Sequence, residues 1–333
     1  MDDTLYKILH SVAQAFGTPM AADSMSIAQA TVKNAASYEA QVQQDERAVN
    51  EGKAFLQHNI SGAQTSDELL AAGEPGLRFF ELFIPVYNDW TFSQLDFQTN
   101  ILKPYRKLRR MSFSAFREDG RNLQTAADRL SGVHGDLHRQ FRGLIEHWHG
   151  DAAKAAGAHV EKFLQKAKSV PQAIARVGEW SAGNAGVMEG IIRSAASMAA
   201  GLYSPVCGGH APFAVNDMIK TLRGKSDSPM LNVISMAMDV GGGAAKSASG
   251  MGGPAGQAAG VGIDLSLGLL TYLKKCLNEE FKPAFEGKYK KFQDEIIAGT
   301  TKNLETVWSE FDALAGKVST DPFGDLTLIV PRP

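Results

Sequence analysis

The chain has 333 residues, of which 44% are hydrophobic and 21% are charged, and its formal net charge is −2. This length can bury a substantial hydrophobic core in one large domain or two modest ones, and the near-neutral charge gives no sign of binding to nucleic acid. Two cysteines, Cys207 and Cys276, exclude a cysteine-rich metal site or a disulfide framework. We expect two reduced structural thiols, with a single disulfide as the alternative.

Apolar residues recur at helical spacing through most of the chain, without a sustained alternating pattern typical of strands. The pattern predicts an all-α fold, an elongated helical bundle built on an antiparallel helical hairpin. The N-terminal sequence Met1-Asp2-Asp3-Thr4 is acidic and lacks an apolar segment, so we expect no cleavable signal peptide. The predicted divisions are an N-terminal helical segment (1–75), a helical bundle (76–203), a linker (204–230) and a C-terminal part (231–333).

Prolines and glycines predict where the helices of the bundle end. Pro85 and Pro104 interrupt the aromatic-rich residues 76–118, which predicts two or three shorter helices there. Asp119-Gly120 predicts a break before the hairpin. Further along, the chain is expected to loosen at three glycines: Gly178, Gly183 and Gly186.

Two apolar stripes of matched length meet at Trp148-His149-Gly150. The upstream stripe repeats every seven residues: Leu123, Leu130, Leu137 and Leu144. The downstream stripe alternates three and four: Ala153, Ala156, Val160, Phe163, Ala167, Val170, Ile174 and Val177. Such spacing predicts an antiparallel hairpin of about 27 residues per arm, with its turn at Trp148 and Gly150. We expect Pro171 to kink or break the second arm. The predicted helix–helix interface consists of Leu137, Phe141, Leu144, Val160 and Phe163.

Residues 121–180, about a fifth of the chain, resemble the WXG helical-hairpin family, the small substrates of type VII (ESX) secretion systems. The segment Glu146-His147-Trp148-His149-Gly150-Asp151-Ala152-Ala153 carries the family's Trp-x-Gly followed by small residues. The longer helical chain is similar to larger members of that group, including PE/PPE-type and secretion-associated proteins. The resemblance implies export without a signal peptide, pairing of helical hairpins and recognition by a secretion ATPase.

The chain departs from this family in one respect. Family substrates usually carry Tyr-x-x-x-Asp/Glu after the second helix, whereas no tyrosine here has an acidic residue four positions later; Tyr289 is followed by Gln293. Either a partner supplies the signal, or the signal is degenerate, or the protein is a cytosolic helical adaptor that is not exported.

Residues 231–273 differ from the rest in composition. Nine glycines lie within residues 241–262, and Gly252, Gly256 and Gly260 are spaced four apart, as in ladders that allow helices to approach closely. One interpretation is a flexible loop between two buried helices. The alternative is a hairpin that inserts into membranes, as in a pore-forming toxin, although Pro254 and two aspartates disfavour a spanning helix.

No arrangement of residues indicates catalysis. His134 and His138 lie one helical turn apart, a spacing that can bind a metal, but solvated or capping roles are favoured. We found no phosphate loop or nucleophile–base pair and expect no metal, cofactor or catalytic residue. The leading hypothesis is a non-enzymatic type VII secretion-associated protein, located outside the cell or in its envelope, that binds a helical partner or itself. The cytoplasm is the alternative location.

Overall fold

The computed structural model describes residues 22–58, 62–224, 268–316 and 322–323, with side chains described from residue 37. These residues are helical almost throughout. Their β-structure is limited to two isolated bridges, between Thr65 and Ser112 and between Cys207 and His210. The all-α prediction is confirmed for the part of the chain that the structure describes.

Long helices dominate the described chain. In chain order the α-helices are α1 (Ala22–His58), α2 (Ser66–Gly73), α3 (Arg78–Thr91), α4 (Lys103–Arg106), α5 (Phe113–His147), α6 (Asp151–Ala167), α7 (Ser169–Ala200), α8 (Pro212–Leu222), α9 (Lys282–Lys291) and α10 (Thr300–Ala315). A 3₁₀ turn spans Glu74–Leu77, residues 268–275 are helical, and π-helical segments span π1 (Phe97–Leu102), π2 (Cys276–Phe281) and π3 (Phe292–Gly299). In π2 the wider turn is visible directly, because the Lys282 N–H donates to the carbonyl oxygen of Leu277, five residues earlier. Helix α8 lies within the predicted linker.

The chain forms two compact units, each assembled from segments that are distant in sequence. Among the described residues, unit 1 comprises 22–57, 71–107, 196–224 and 268–297. Unit 2 comprises 58, 62–70, 108–195, 298–316 and 322–323.

An aromatic cluster forms the core of unit 1. Its fully buried members lie on α3 and on the helices that follow residue 275: Phe79, Phe80, Phe83, Phe281, Phe285 and Phe292. The ring centroids of Phe79 and Phe285 are 6.1 Å apart, and those of Phe80 and Phe292 are 5.5 Å apart. Offset and edge-on packing at such distances stabilises aromatic pairs beyond the burial of their area. The cluster therefore fixes the C-terminal helices of unit 1 against α3.

A buried carboxylate organises part of unit 2. Glu189 on α7 accepts hydrogen bonds from the backbone N–H groups of Gly62 and Ala63, both at 3.2 Å, and from Arg193 at 2.7 Å. Arg117 on α5 forms a further ion pair with it. Burial alone would raise the pKa of Glu189, but the hydrogen bonds from Arg193, Ala63, Arg117 and Gly62 outweigh it and hold the pKa below its ordinary value.

We expect Glu189→Gln to lower the free energy of unfolding by about 2–3 kcal/mol at neutral pH, because it weakens hydrogen bonds to two guanidinium groups. Since the folded-state pKa is lowered, this stabilisation is complete above the ordinary value of 4.5 and is lost as the pH falls through the folded-state pKa. Urea denaturation of both proteins between neutral and acidic pH measures the difference. The matched control is Glu179→Gln, an exposed carboxylate on the same helix, for which we expect a change below about 0.5 kcal/mol. Equal losses in the two variants would contradict the assignment.

The predicted breaks at Asp119-Gly120 and at the three glycines of residues 178–186 are wrong, because α5 and α7 run through them without interruption. Gly120 and Gly178 instead allow the two helices to touch. A Cβ atom on residue 120 would lie 2.7 Å from the carbonyl oxygen of Gly178 and 2.8 Å from the Cβ of Ala182. The missing side chains permit a close helix crossing rather than a turn.

This crossing predicts opposite effects for two glycine substitutions in α5. Gly120→Ala should lower the free energy of unfolding by about 1–3 kcal/mol, because the added methyl group overpacks the contact. Gly132→Ala meets no atom within 4 Å and should raise it by up to about 1 kcal/mol through helix propensity. Denaturant unfolding of both variants tests the pair, and a gain of stability in both would refute the close crossing.

Candidate functional site

The connection between α5 and α6 consists of residues 148–150. Helix α5 ends at His147, and the Trp148 N–H donates to the carbonyl oxygen of Ile145 at 3.3 Å, which caps the last turn. Gly150 has a φ of +105°, a conformation that strains residues with a side chain. Helix α6 begins directly afterwards at Asp151, whose carboxylate stands in the first turn, where the helix dipole favours negative charge. The break before α7 falls at Lys168, three residues ahead of Pro171.

The two helices that meet at this connection contact each other directly. The Nε2 atom of His134 lies 2.8 Å from the carbonyl oxygen of Leu164, so His134 bridges α5 to the backbone of α6. Gly157 lies beside Ile145, because a Cβ at residue 157 would stand at an ordinary van der Waals distance of 3.7 Å from the Ile145 Cδ1 atom. The buried residues of α6 are Ala153 and Leu164. The structure thus gives His134 a role in helix contact rather than in a pair with His138.

The leucine heptad of α5 does not lie in this contact. Each residue of an α-helix advances about 100° around the helix axis. The face of α5 that carries Leu130, Leu137 and Leu144 is therefore rotated about 60° around that axis from the face that carries His134 and meets α6. Leu137 is 41% exposed and Leu144 is 56% exposed, which differs from the predicted interface. The other three predicted interface residues are partly buried: Phe141, Val160 and Phe163. The ring of Phe163 stacks on Phe323 with centroids 5.0 Å apart.

The outward-facing leucines belong to a longer apolar line, which we call the α5 stripe. Its members are exposed by 41–64%: Leu130, Val133, Leu137 and Leu144 follow helical spacing on α5, and Trp148 follows them in the connection. Single exposed apolar side chains are common on protein surfaces, whereas these recur along one helix up to the connection. Arg129 and Asp136 lie along its edge away from α6, and both are exposed.

A second group of reactive side chains lies in unit 1, and sequence reasoning missed it. The atoms of His210, Cys276 and Glu280 that could bind a metal all lie within 4.8 Å of one another. His210 and Cys276 are buried, whereas the side chain of Glu280 is 47% exposed. His210 is distant in sequence from the other two residues, so only the fold brings them together. Two features of the sequence could have indicated this group. Cys276 and Glu280 are spaced one helical turn apart, and two glycines separate Cys207 from His210.

A tight turn holds His210 in place. The backbones of Cys207 and His210 exchange hydrogen bonds of 2.9 and 3.1 Å around Gly208 and Gly209, which have φ values of +56° and +82°. Two positive φ angles in a two-residue connection are typical of a type I′ turn. Gly208 packs directly on π2, because a Cβ there would lie 2.5 Å from the carbonyl carbon and oxygen of Glu280. The turn therefore places the His210 Nε2 atom 3.0 Å from the Glu280 Oε2 atom.

Neither Cys207 nor Cys276 forms a disulfide. This agrees with the expectation of two reduced thiols rather than with the alternative of a single disulfide. Burial raises the pKa of the Cys207 thiol to about 12, against an opposing effect of Lys288. The Cys207 Sγ atom lies 3.6 Å from the carbonyl oxygen of Phe281. Cys207 is thus a protonated thiol that packs the turn against π2.

Comparison of the chain with protein families, curated proteins and solved structures finds no match. The WXG resemblance therefore stays a prediction that rests on residues 121–180. Within the described ranges, no helix combines the length and the apolar content needed to cross a membrane. The glycine ladder of Gly252, Gly256 and Gly260 lies outside the described residues.

The packing of the turn on π2 predicts different effects for its two glycines. Both Gly208→Ala and Gly209→Ala force a left-handed backbone onto alanine, which costs about 1–2 kcal/mol. Only Gly208→Ala adds a clash with the backbone of Glu280, since residue 209 has no atom within 4 Å of its Cβ position. We expect Gly208→Ala to lose about 1–3 kcal/mol more than Gly209→Ala in denaturant unfolding. Equal losses would show that the turn does not press on π2.

Proposed function

We propose that this protein is a non-enzymatic, type VII secretion-associated protein that acts by binding an apolar helix of a partner protein. In this proposal α5, residues 148–150 and α6 form a WXG-type hairpin with Trp148 and Gly150 at its turn. The proposal includes export without a cleavable signal peptide and recognition by a secretion ATPase. The observation that carries it is the α5 stripe, which ends at the Trp-x-Gly connection.

The spacing of the stripe favours a helix as its occupant. Leucines seven residues apart drift by only about 20° per heptad on a straight helix, so they share one face, and this is the spacing of the seam in a coiled coil. Helix α6 does not fill this role, because it contacts α5 along the line through His134. The repeat of Leu130, Leu137 and Leu144 therefore supports a second, external helix.

The surroundings of the stripe also suit a helical partner. Arg129 and Asp136 form a charged margin of both signs, the composition that flanks coiled-coil seams and selects their partners. Trp148 adds an aromatic side chain at the end of the stripe, and partly exposed tryptophans are frequent energetic centres of protein interfaces. The surface thus combines an apolar seam, a polar margin and an aromatic end.

Fractionation of the native host, with and without its type VII ATPase, tests export. We expect the protein in the medium or the envelope only when the ATPase is present. Retention in the cytosol in both strains would reject the export proposal and favour a cytosolic adaptor.

A double substitution, Leu137→Lys with Leu144→Lys, tests the stripe itself. Because both leucines are about half exposed, the variant should fold with a stability loss of about 1 kcal/mol for each substitution. Two ammonium groups in the seam should abolish binding to the partner and, with it, ATPase-dependent export.

The matched control is Val187→Lys, which changes an apolar residue on α7 that is 49% exposed and lies outside the stripe. Circular dichroism checks the fold of both variants, and fractionation measures their export. Unchanged export of the double variant, or equal loss in the control, would contradict a role for the stripe. If light scattering shows that the wild type is a dimer that the double variant dissociates, the occupant is a second copy, which would overturn the partner assignment.

A further inference from the structure

We propose that His210, Cys276 and Glu280 bind one zinc ion, or a similar divalent transition metal, in a site of unit 1. The three residues supply an imidazole nitrogen, a thiolate sulfur and a carboxylate oxygen, which are the ligand types that zinc prefers in proteins. The site is independent of the α5 stripe and of any role in secretion.

The distances between the ligand atoms suit a small ion. With metal–ligand bonds of about 2.0–2.3 Å, the ligands of a tetrahedral zinc stand about 3.3–3.8 Å apart. Here the three atoms lie within 4.8 Å of one another, and Nε2 of His210 is 3.0 Å from Oε2 of Glu280. Small side-chain rotations would therefore bring all three atoms to bonding distance without moving the backbone.

Charge also favours a divalent cation. On binding, the Cys276 thiol gives up its proton to solvent and coordinates as a thiolate, and Glu280 coordinates as a carboxylate. Together with a neutral His210, these two negative charges cancel the charge of a divalent ion. Because Cys276 is fully buried and His210 is 6% exposed, a net-neutral complex avoids the cost of an unpaired charge in this environment.

Two features of the fold hold the ligands in advance. The turn at Gly208 presses on the backbone of Glu280, which fixes His210 beside π2. Cys276 and Glu280 lie one turn apart on π2, and π-helical segments occur frequently at functional sites. The exposed side of Glu280 leaves solvent access on one side, so the fourth position of a tetrahedral ion can take water or a ligand from outside.

Cobalt substitution tests the site directly. The full chain is purified, reduced and freed of metal, then titrated with Co²⁺ alone. We expect one Co²⁺ per chain, with the near-ultraviolet charge-transfer absorption of a thiolate–cobalt bond and the visible bands of a tetrahedral complex. Added Zn²⁺ should displace the cobalt and remove both signals. Failure of the wild-type protein to develop the thiolate absorption would overturn the proposal.

Matched variants assign the ligands. Cys276→Ala should abolish the thiolate absorption, while Cys207→Ala, which removes the neighbouring buried thiol, should retain it. The same absorption in Cys276→Ala, or its loss in Cys207→Ala alone, would overturn the assignment.

An exposed pair of carboxylates keeps the test decisive if a cysteine variant does not fold. Glu280→Gln should weaken Co²⁺ and Zn²⁺ binding by about 10- to 100-fold or more, since loss of even an outer-shell partner of a metal site has that effect. Glu279→Gln changes the preceding residue, which is also exposed, and should leave the affinity for Co²⁺ and Zn²⁺ unchanged. Equal affinities in the two variants would exclude Glu280 as a ligand and leave only a hydrogen bond between Glu280 and His210.

Discussion

Unit 1 depends on the aromatic packing between α3 and the helices of residues 276–297. Phe79 lies in the middle of it, with Phe285 on one side and the ammonium group of Lys288 4.1 Å from its ring centroid. Lys288 also donates to the carbonyl oxygen of Leu202 at 2.7 Å, and burial lowers its pKa. This packing fixes the orientation of π2. The meeting of Cys276 and Glu280 with the turn of His210 is a consequence of that orientation, because both residues belong to the helix that the phenylalanines hold.

Unit 2 is stabilised by different means. Its long helices touch through backbone at Gly120 and Gly178, and the buried Glu189 binds the loop at residues 62–63 to α5 and α7. Helix α5 meets α6 through His134, which reaches the backbone of Leu164. The contact with α6 runs along the face of α5 that carries His134, and the leucines lie about 60° away around the helix axis, so they stay at the surface. The exposure of the α5 stripe therefore follows from how unit 2 packs internally.

Much of the helix content followed from periodicity, but the ends of the helices followed less well. Glycine is a poor helix former in isolation, so Asp119-Gly120 reads locally as a break. The structure overrides this preference, since a glycine is the only residue that allows Gly178 to approach so closely. Likewise, the heptad predicted that Leu137 and Leu144 pack against the second arm of the hairpin, yet both are about half exposed. Periodicity gives the direction of a face relative to its own helix axis, and the neighbour is set by the fold.

The sequence by itself determined the all-α class of the described residues, the apolar line on α5 and the end of that helix beside Trp148 and Gly150. These features depend on side chains within a few helical turns of each other, so local spacing is sufficient to predict them. Only the tertiary structure decided that the leucines face outward and that His210 meets Cys276 and Glu280. Both results require segments far apart in the chain to pack together. Such packing depends on the shapes of many buried side chains at once, which no local pattern records.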